Sequence, residues 1–186
     1  MDENRNTSIT LFVLMGVAFL FILIYVFVIV PNKNKNTLGS SDLVLDSPIQ
    51  KWNLRYAKGG IKPFCKDGNE WLSIEVFEAS NVYSSSEGIV KEVDKSIVTI
   101  EISSTISVQY SPIVNSKLSK GNYISKGADI GNVVGSFLDI RVKDTRRGVY
   151  ECPYLYFNNF TKNILRNVED VREEEIEMCG CNFLDY

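Results

Sequence analysis

The 186 residues contain no histidine, and that absence bounds the chemistry more tightly than any motif present. A Ser-His or Cys-His nucleophile pair needs an imidazole to take the proton, as does imidazole acid/base catalysis. A histidine-containing zinc site is excluded on the same ground. The thiols are Cys65, Cys152, Cys179 and Cys181. Their one close pair, Cys179-x-Cys181, lacks the two-to-four-residue spacing usual for zinc. Among the carboxylates, Glu75 and Asp139 each sit in a run of alternating polarity. Both point away from the faces of Leu72 and Leu138, so one surface could carry the two together. Paired carboxylates can serve glycoside hydrolysis, but nothing else in the sequence resembles a glycosidase. The formal charge of −3 offers no basic surface to displace counterions, so no nucleic-acid partner is expected.

The elements that must position these groups fall into segments of different character. Ile9 to Val30 (ITLFVLMGVAFLFILIYVFVIV) is apolar at every position except Thr10 and Gly16 and carries no charge. As a helix it would span about 33 Å, which matches a bilayer core of about 30 Å. A cleaved signal peptide has a shorter apolar run and a small-residue cleavage site. VFVIVPNKNKN has no such site, so the segment reads as an uncleaved transmembrane anchor. Counting Lys33 and Lys35 against Arg5, the positive-inside rule favours the C-terminal part inside. Residues 31–50 (PNKNKNTLGSSDLVLDSPIQ) are rich in Asn, Ser, Lys and Pro and read as a tether.

Beyond the tether, apolar residues recur with a period of two. Leu72, Ile74 and Val76 form one run, and Val98, Ile100 and Ile102 a second. Ile106, Val108 and Tyr110 form a third, and Leu138, Ile140 and Val142 a fourth. Such alternation predicts strands with one buried face. Ser103-Ser104-Thr105 reads as the hairpin between the second and third runs. Many short strands with frequent turns predict an all-β domain of antiparallel sheets. Thr161 to Met178 instead places Ile164, Leu165, Val168 and Val171 at helical spacing, with Thr161 as N-cap. The acidic run Glu173–Glu175 with Glu177 opposes the macrodipole at that helix's C-terminus and predicts fraying.

The most specific stretch is Ser119 to Gly131, SKGNYISKGADIG: a turn, a short strand and another turn. It resembles two β-rich families, the biotinyl/lipoyl hammerhead and the LytM (lysostaphin-type) zinc peptidoglycan endopeptidases. The flanks resemble the second. VYSSSEGIV (Val82 to Val90) is similar to that family's strand and acidic-Gly turn. WLSIEV (Trp71 to Val76) stands where the family carries His-x-Gly-x-Asp. VQYSPI resembles its Tyr-x-His segment, SFLDIRV (Ser136 to Val142) its His-x-His-Phe-Glu strand, and RRGVYECPYLYF its closing turn. The hammerhead alternative implies an adaptor module of a membrane transport or secretion complex. A cofactor carrier, however, needs a lysine at a hairpin tip, and IEISSTISVQ has none.

The LytM resemblance implies a domain whose metal-binding residues are gone. The family's zinc ligands map to Trp71, Glu75 and Phe137, and its remaining histidines to Pro112 and Gly135. Glu75 alone keeps a ligand's chemistry, and a catalytic zinc needs about three protein ligands. The resemblance thus implies no metal, no cofactor and no peptidase activity. It leaves a groove remnant of Trp71, Glu75, Tyr110, Pro112, Gly135 and Phe137. Those aromatics either bind a glycan-peptide strand or a protein loop, or fill the space the metal left. The expected partners are membrane lipid around residues 9–30 and, at the envelope, a protein or peptidoglycan. The resemblance also implies an extracytoplasmic domain, against the charge count, and a scaffold or binding role in cell-wall remodelling, division or sporulation. The expected organisation is a tail (1–8), transmembrane helix (9–30), linker (31–50), LytM-like β domain (51–158), and C-terminal helix and tail (159–186). In an oxidising compartment four cysteines allow three full pairings. A Cys65–Cys152 disulfide would tie the two ends of the β domain, and free thiols are the alternative.

Overall fold

Eleven strands and one α-helix account for most of the regular structure in the computed structural model, which describes residues 43–53, 60–169 and 178–180, all within the unit Leu38–Tyr186. The strands are β1 (Ile61–Lys62), β2 (Leu72–Glu75), β3 (Asn81–Tyr83), β4 (Gly88–Asp94), β5 (Ile97–Glu101) and β6 (Ile106–Ser111). They continue as β7 (Ile113–Val114), β8 (Tyr123–Ile124), β9 (Asp129–Val133), β10 (Phe137–Asp144) and β11 (Val149–Glu151), and α1 (Asn159–Glu169) follows. The four alternating runs of the sequence are β2, β5, β6 and β10, and the Ser103–Thr105 turn joins β5 to β6. All pairings between the strands are antiparallel.

The larger sheet runs β1-β2-β10-β6-β5-β4-β8, and the smaller one β3-β9-β7. β10 is the hub. β6 lies along one side of it, and β2 and β11 share the other side end to end. Its register sets Ile140 opposite both Leu72 and Tyr110. Because side chains alternate between faces, that one register sends Leu72, Ile74, Val108, Tyr110, Leu138, Ile140 and Val142 to the buried side. Val82, Ile113, Ile130 and Val133 of the smaller sheet join the same apolar cluster. The opposite face of the large sheet carries Ser73, Glu75, Gln109, Phe137, Asp139 and Arg141.

At the far end of β10, Asp144 is fully buried and anchors the turn into β11. Its Oδ1 accepts from the backbone N–H of Arg146 at 2.8 Å, and its Oδ2 pairs with the Arg146 guanidinium at 3.3 Å. Burial raises this carboxyl's pKa, but the hydrogen bonds from Arg146 and Arg147 outweigh it and hold the group below its ordinary value.

Several sequence expectations change in the structure. Residues 43–50, read as the end of the tether, belong to the fold. Leu43, Leu45 and Ile49 are buried. The Leu45 N–H donates to the Tyr156 carbonyl at 2.8 Å, and the Asn158 N–H donates to Leu45 at 2.9 Å. The helix cap is Asn158, not Thr161. Asn158 Oδ1 accepts from the Thr161 N–H at 2.7 Å, while its Nδ2 donates to Asp46 at 2.7 Å. Thr161 itself is buried in the first turn. The expected transmembrane segment 9–30 and the start of the expected linker lie outside the described residues. Among the described residues no helix is long and apolar enough to cross a membrane.

The expected Cys65–Cys152 disulfide is not formed. Cys152 is bonded to Cys179 across a Cα–Cα distance of 5.8 Å and a sequence separation of 27. The cause is the return of the chain end. The Phe64 N–H donates to Met178 at 3.0 Å, and the Gly180 N–H donates to Phe64 at 2.7 Å. This short parallel bridge places Cys179 against Cys152, and both are buried. Cys65 is also disulfide-bonded, and not to Cys152. Cross-links closing loops of this size stabilise by about 3 kcal/mol. Cys152→Ser is therefore expected to lower unfolding stability by roughly that amount, read by urea denaturation without reductant. A non-reducing peptide map is expected to join the peptides of Cys152 and Cys179.

Candidate functional site

The polar face of the large sheet is a grid fixed by register. One row crosses Lys62 of β1, Ser73 of β2, Asp139 of β10 and Ser111 of β6. The row beside it sets Glu75 opposite Phe137. On the other flank, Arg141 stands opposite Gln109, which stands opposite Thr99. Directly opposed residues in an antiparallel pair have Cβ atoms about 5 Å apart, so neighbours in a row can touch.

Around the Glu75–Phe137 pair the structure gathers most of the mapped positions. The Val76 N–H donates to Ser136 at 2.8 Å, which brings the turn at Gly135 beside the end of β2. Gly135 has φ +82°, a left-handed conformation that a side chain would strain. The Val134 N–H donates to the Pro112 carbonyl at 3.2 Å, so Pro112 reaches the same end of the sheet. Two expected members do not join them. Tyr110 lies on the buried face, where its hydroxyl accepts from the Ser85 N–H at 2.9 Å. Burial raises its pKa, partly offset by the hydrogen bonds to Ser85 and Ser84. Its place in the Ile106–Val108–Tyr110 alternation already assigns it there. Trp71 is on the polar face but at its far end, against Arg141.

Arg141 is a residue that the sequence does not single out. Its guanidinium carbon lies 3.9 Å from the centroid of the Trp71 ring and 3.6 Å from that of Tyr150. Its Nε donates to Gln109 at 2.7 Å and its Nη1 to Glu70 at 3.0 Å. The Arg141 side chain is 12% exposed and that of Glu70 is 66% exposed. A salt bridge to so exposed a partner contributes about 0–1 kcal/mol. Desolvated stacking is worth about 2 kcal/mol or more, so the two rings hold Arg141 more firmly than Glu70 does. The one signal in the sequence is its position two residues after Asp139, on the same face.

These residues do not fit a zinc ion. At the mapped ligand positions stand an indole, one carboxylate and a phenyl ring, and at the other two a proline and a glycine. Only Glu75 could donate. Among the described residues no group of three His, Cys, Asp or Glu side chains could hold a metal ion.

What the face does contain is an open groove of about 580 Å³ on the β1 side of Phe137, lined by Lys62, Lys66, Asp67, Asn69, Ser73 and Asp139 among others. The Lys62 ammonium lies 4.0 Å from the Phe137 ring centroid. Burial raises the Asp139 carboxyl above its ordinary value. The Ser73 hydroxyl and the Lys62 charge oppose that rise without cancelling it. A carboxyl raised on folding destabilises the fold where it is ionised, above its folded pKa. That cost disappears below the unfolded value of 3.8. Asp139→Asn is therefore expected to raise the melting temperature at pH 7, with the gain closing as the pH falls below 3.8. Parallel thermal melts across that range check it.

No family model matches the chain, and no curated protein is significantly similar to it in sequence. Solved structures are similar in fold. Helicobacter pylori Csd3, from orthorhombic and hexagonal crystals, aligns with a TM-score of 0.50 in each, at 18% and 19% identity. These alignments cover 69% and 67% of this chain and 42% and 39% of Csd3. A zinc-containing peptidase from Vibrio cholerae aligns at a TM-score of 0.46 and 20% identity, over 57% of this chain and 39% of the peptidase. The chain thus spans about two fifths of the length of these structures. The fold is shared with Csd3.

Proposed function

We propose that the chain is a non-catalytic, LytM-like binding or scaffolding domain, held at the cell envelope by a single membrane span at residues 9–30. The observation that carries this reading is the cross-strand pair Glu75–Phe137. Two positions mapped as metal ligands face each other in direct register, with Pro112 and Gly135 beside them, in a chain without histidine. Two of the three positions mapped as zinc ligands thus stand side by side, while the third, Trp71, lies at the far end of the face against Arg141, and of the three only Glu75 keeps a ligand's chemistry. What remains is a polar sheet face with an adjoining groove, suited to binding a polymer strand or a protein loop. The likeness to Csd3 supports the fold alone.

An extracytoplasmic domain accords with the cysteines, since Cys152 and Cys179 are bonded to each other and Cys65 is also in a disulfide. Such bonds persist in oxidising compartments. This outweighs the two-lysine charge count at the membrane segment.

Two measurements test the reading. The purified full chain in detergent is expected to hold no zinc above background, to leave peptidoglycan uncleaved, and to co-sediment with peptidoglycan sacculi or a protein partner from the envelope. Stoichiometric zinc, or release of peptides from sacculi, defeats it. For topology, intact cells treated with a membrane-impermeant maleimide are expected to show no labelling of the chain until a membrane-impermeant phosphine reductant is added. Labelling only after lysis places the domain inside and defeats the localisation.

A further inference from the structure

Of the residues lining the groove beside Phe137, the sequence singles out only Phe137 and Asp139, and the others give it a chemistry of its own. Its floor is the sheet row Lys62–Ser73–Asp139, and its wall is the turn Cys65–Asn69. The wall is built to stay in place. The Cys65 N–H donates to Asn69 at 2.6 Å, and the Asn69 N–H donates to Lys66 at 3.0 Å. Cys65 is disulfide-bonded, and Phe64 just before it is bonded on both sides to the Met178–Gly180 segment. A wall fixed before a ligand arrives spares the ordering cost of binding.

The charges are not equivalent. The Ser73 hydroxyl and the Lys62 charge both act on Asp139, which shares its sheet row with them. Lys62 caps the Phe137 ring and keeps further N–H donors for a ligand. Lys66 lies on the exposed wall, and Asn69 already directs its Oδ1 to the Trp71 N–H at 3.2 Å, which leaves its amide donors for the groove. Against these stands the exposed carboxylate of Asp67 on the same wall, so two ammoniums and one amide face one carboxylate besides Asp139, and the apolar surface beside them is the edge of Phe137.

We infer that this groove binds the free carboxyl terminus of an extended peptide, its carboxylate between Lys62 and Lys66 and its last side chain against Phe137. This rests on the peptide-binding reading above and narrows it to one chemical group. A ligand with an amidated end keeps the apolar contact and loses the charge-assisted bonds, which are the stronger ones.

The test uses the full chain in detergent micelles and tri-alanine carrying a dye on its amino end, followed by fluorescence anisotropy. The free acid is expected to bind saturably, and the carboxamide at least tenfold more weakly. Lys62→Gln combined with Lys66→Gln is expected to weaken the acid at least tenfold, with an unchanged far-UV spectrum. Lys91→Gln with Lys120→Gln, at a different groove, is expected to change nothing. Should the first double variant fail to fold, Asp67→Asn on the exposed wall is expected to tighten binding of the acid severalfold. Equal binding of acid and carboxamide overturns the carboxylate site, as does no saturable binding of either or an equal loss in the Lys91 control. The sacculus experiment reports separately on the broader reading, so the two can fail independently.

Discussion

The register of β10 against its neighbours is the constraint on which the rest depends. β10 alternates strictly between half-buried and buried residues over all eight positions. Sliding it by one residue would send Asp139 and Arg141 into the apolar cluster and expose Leu138 and Ile140. Burying a Leu or Ile side chain is worth about 1.5–3 kcal/mol, and an unpaired buried charge costs several more. The alternative register is therefore far out of reach. The same choice fixes the polar grid: once Ile140 faces Leu72 and Tyr110, Glu75 must face Phe137, and Asp139 must face Ser73.

A sheet face dense with polar and charged groups needs something to hold it. In this chain a stacked cation does so at one end. Arg141 links β10 to Trp71 just before β2, to Gln109 of β6 and to Tyr150 of β11. A planar guanidinium can stack on two rings and still donate in its own plane, which an ammonium cannot. At the other end Lys62 covers Phe137 and offsets the charge of Asp139. Both devices use cations on aromatic faces, and both belong to residues that carry no motif. They also account for Trp71 and Phe137 as packing partners on a solvated face, while the groove next to Phe137 stays open.

The strands are legible in the sequence because alternation is a local property. Leu72–Ile74–Val76 or Leu138–Ile140–Val142 needs no knowledge of the partner strand. The site is only partly legible, because rows across a sheet exist only once register is known. Glu75 and Phe137 are brought together by a resemblance and not by their own spacing. Arg141 is separated from Lys62 by 79 residues and from Tyr150 by 9, and these side chains meet the aromatic and polar partners named above only in three dimensions. Tyr110 shows family correspondence and local alternation in conflict, and the alternation is what the fold obeys. Asn158 is hard to recognise as a cap because the apolar spacing starts later, at Ile164. The cysteine pairing is not legible at all, since it follows from where the chain end returns.

That return also joins the fold to the groove. β1 is only two residues long and lies at the edge of the large sheet. An edge so short would leave the following turn poorly held. The parallel bridge from Phe64 to Met178 and Gly180, backed by the Cys152–Cys179 bond, supplies the missing support just after β1 ends. Gly180 sits tightly there: a Cβ would lie 3.3 Å from that of Lys66. The residues that shape the wall are thus set by a segment more than a hundred positions away in the chain. A truncation before Met178 would remove the wall's backing while leaving the grid of β2, β10 and β6 intact, which separates the two halves of the face physically: one is determined by strand register, the other by the closure of the chain end.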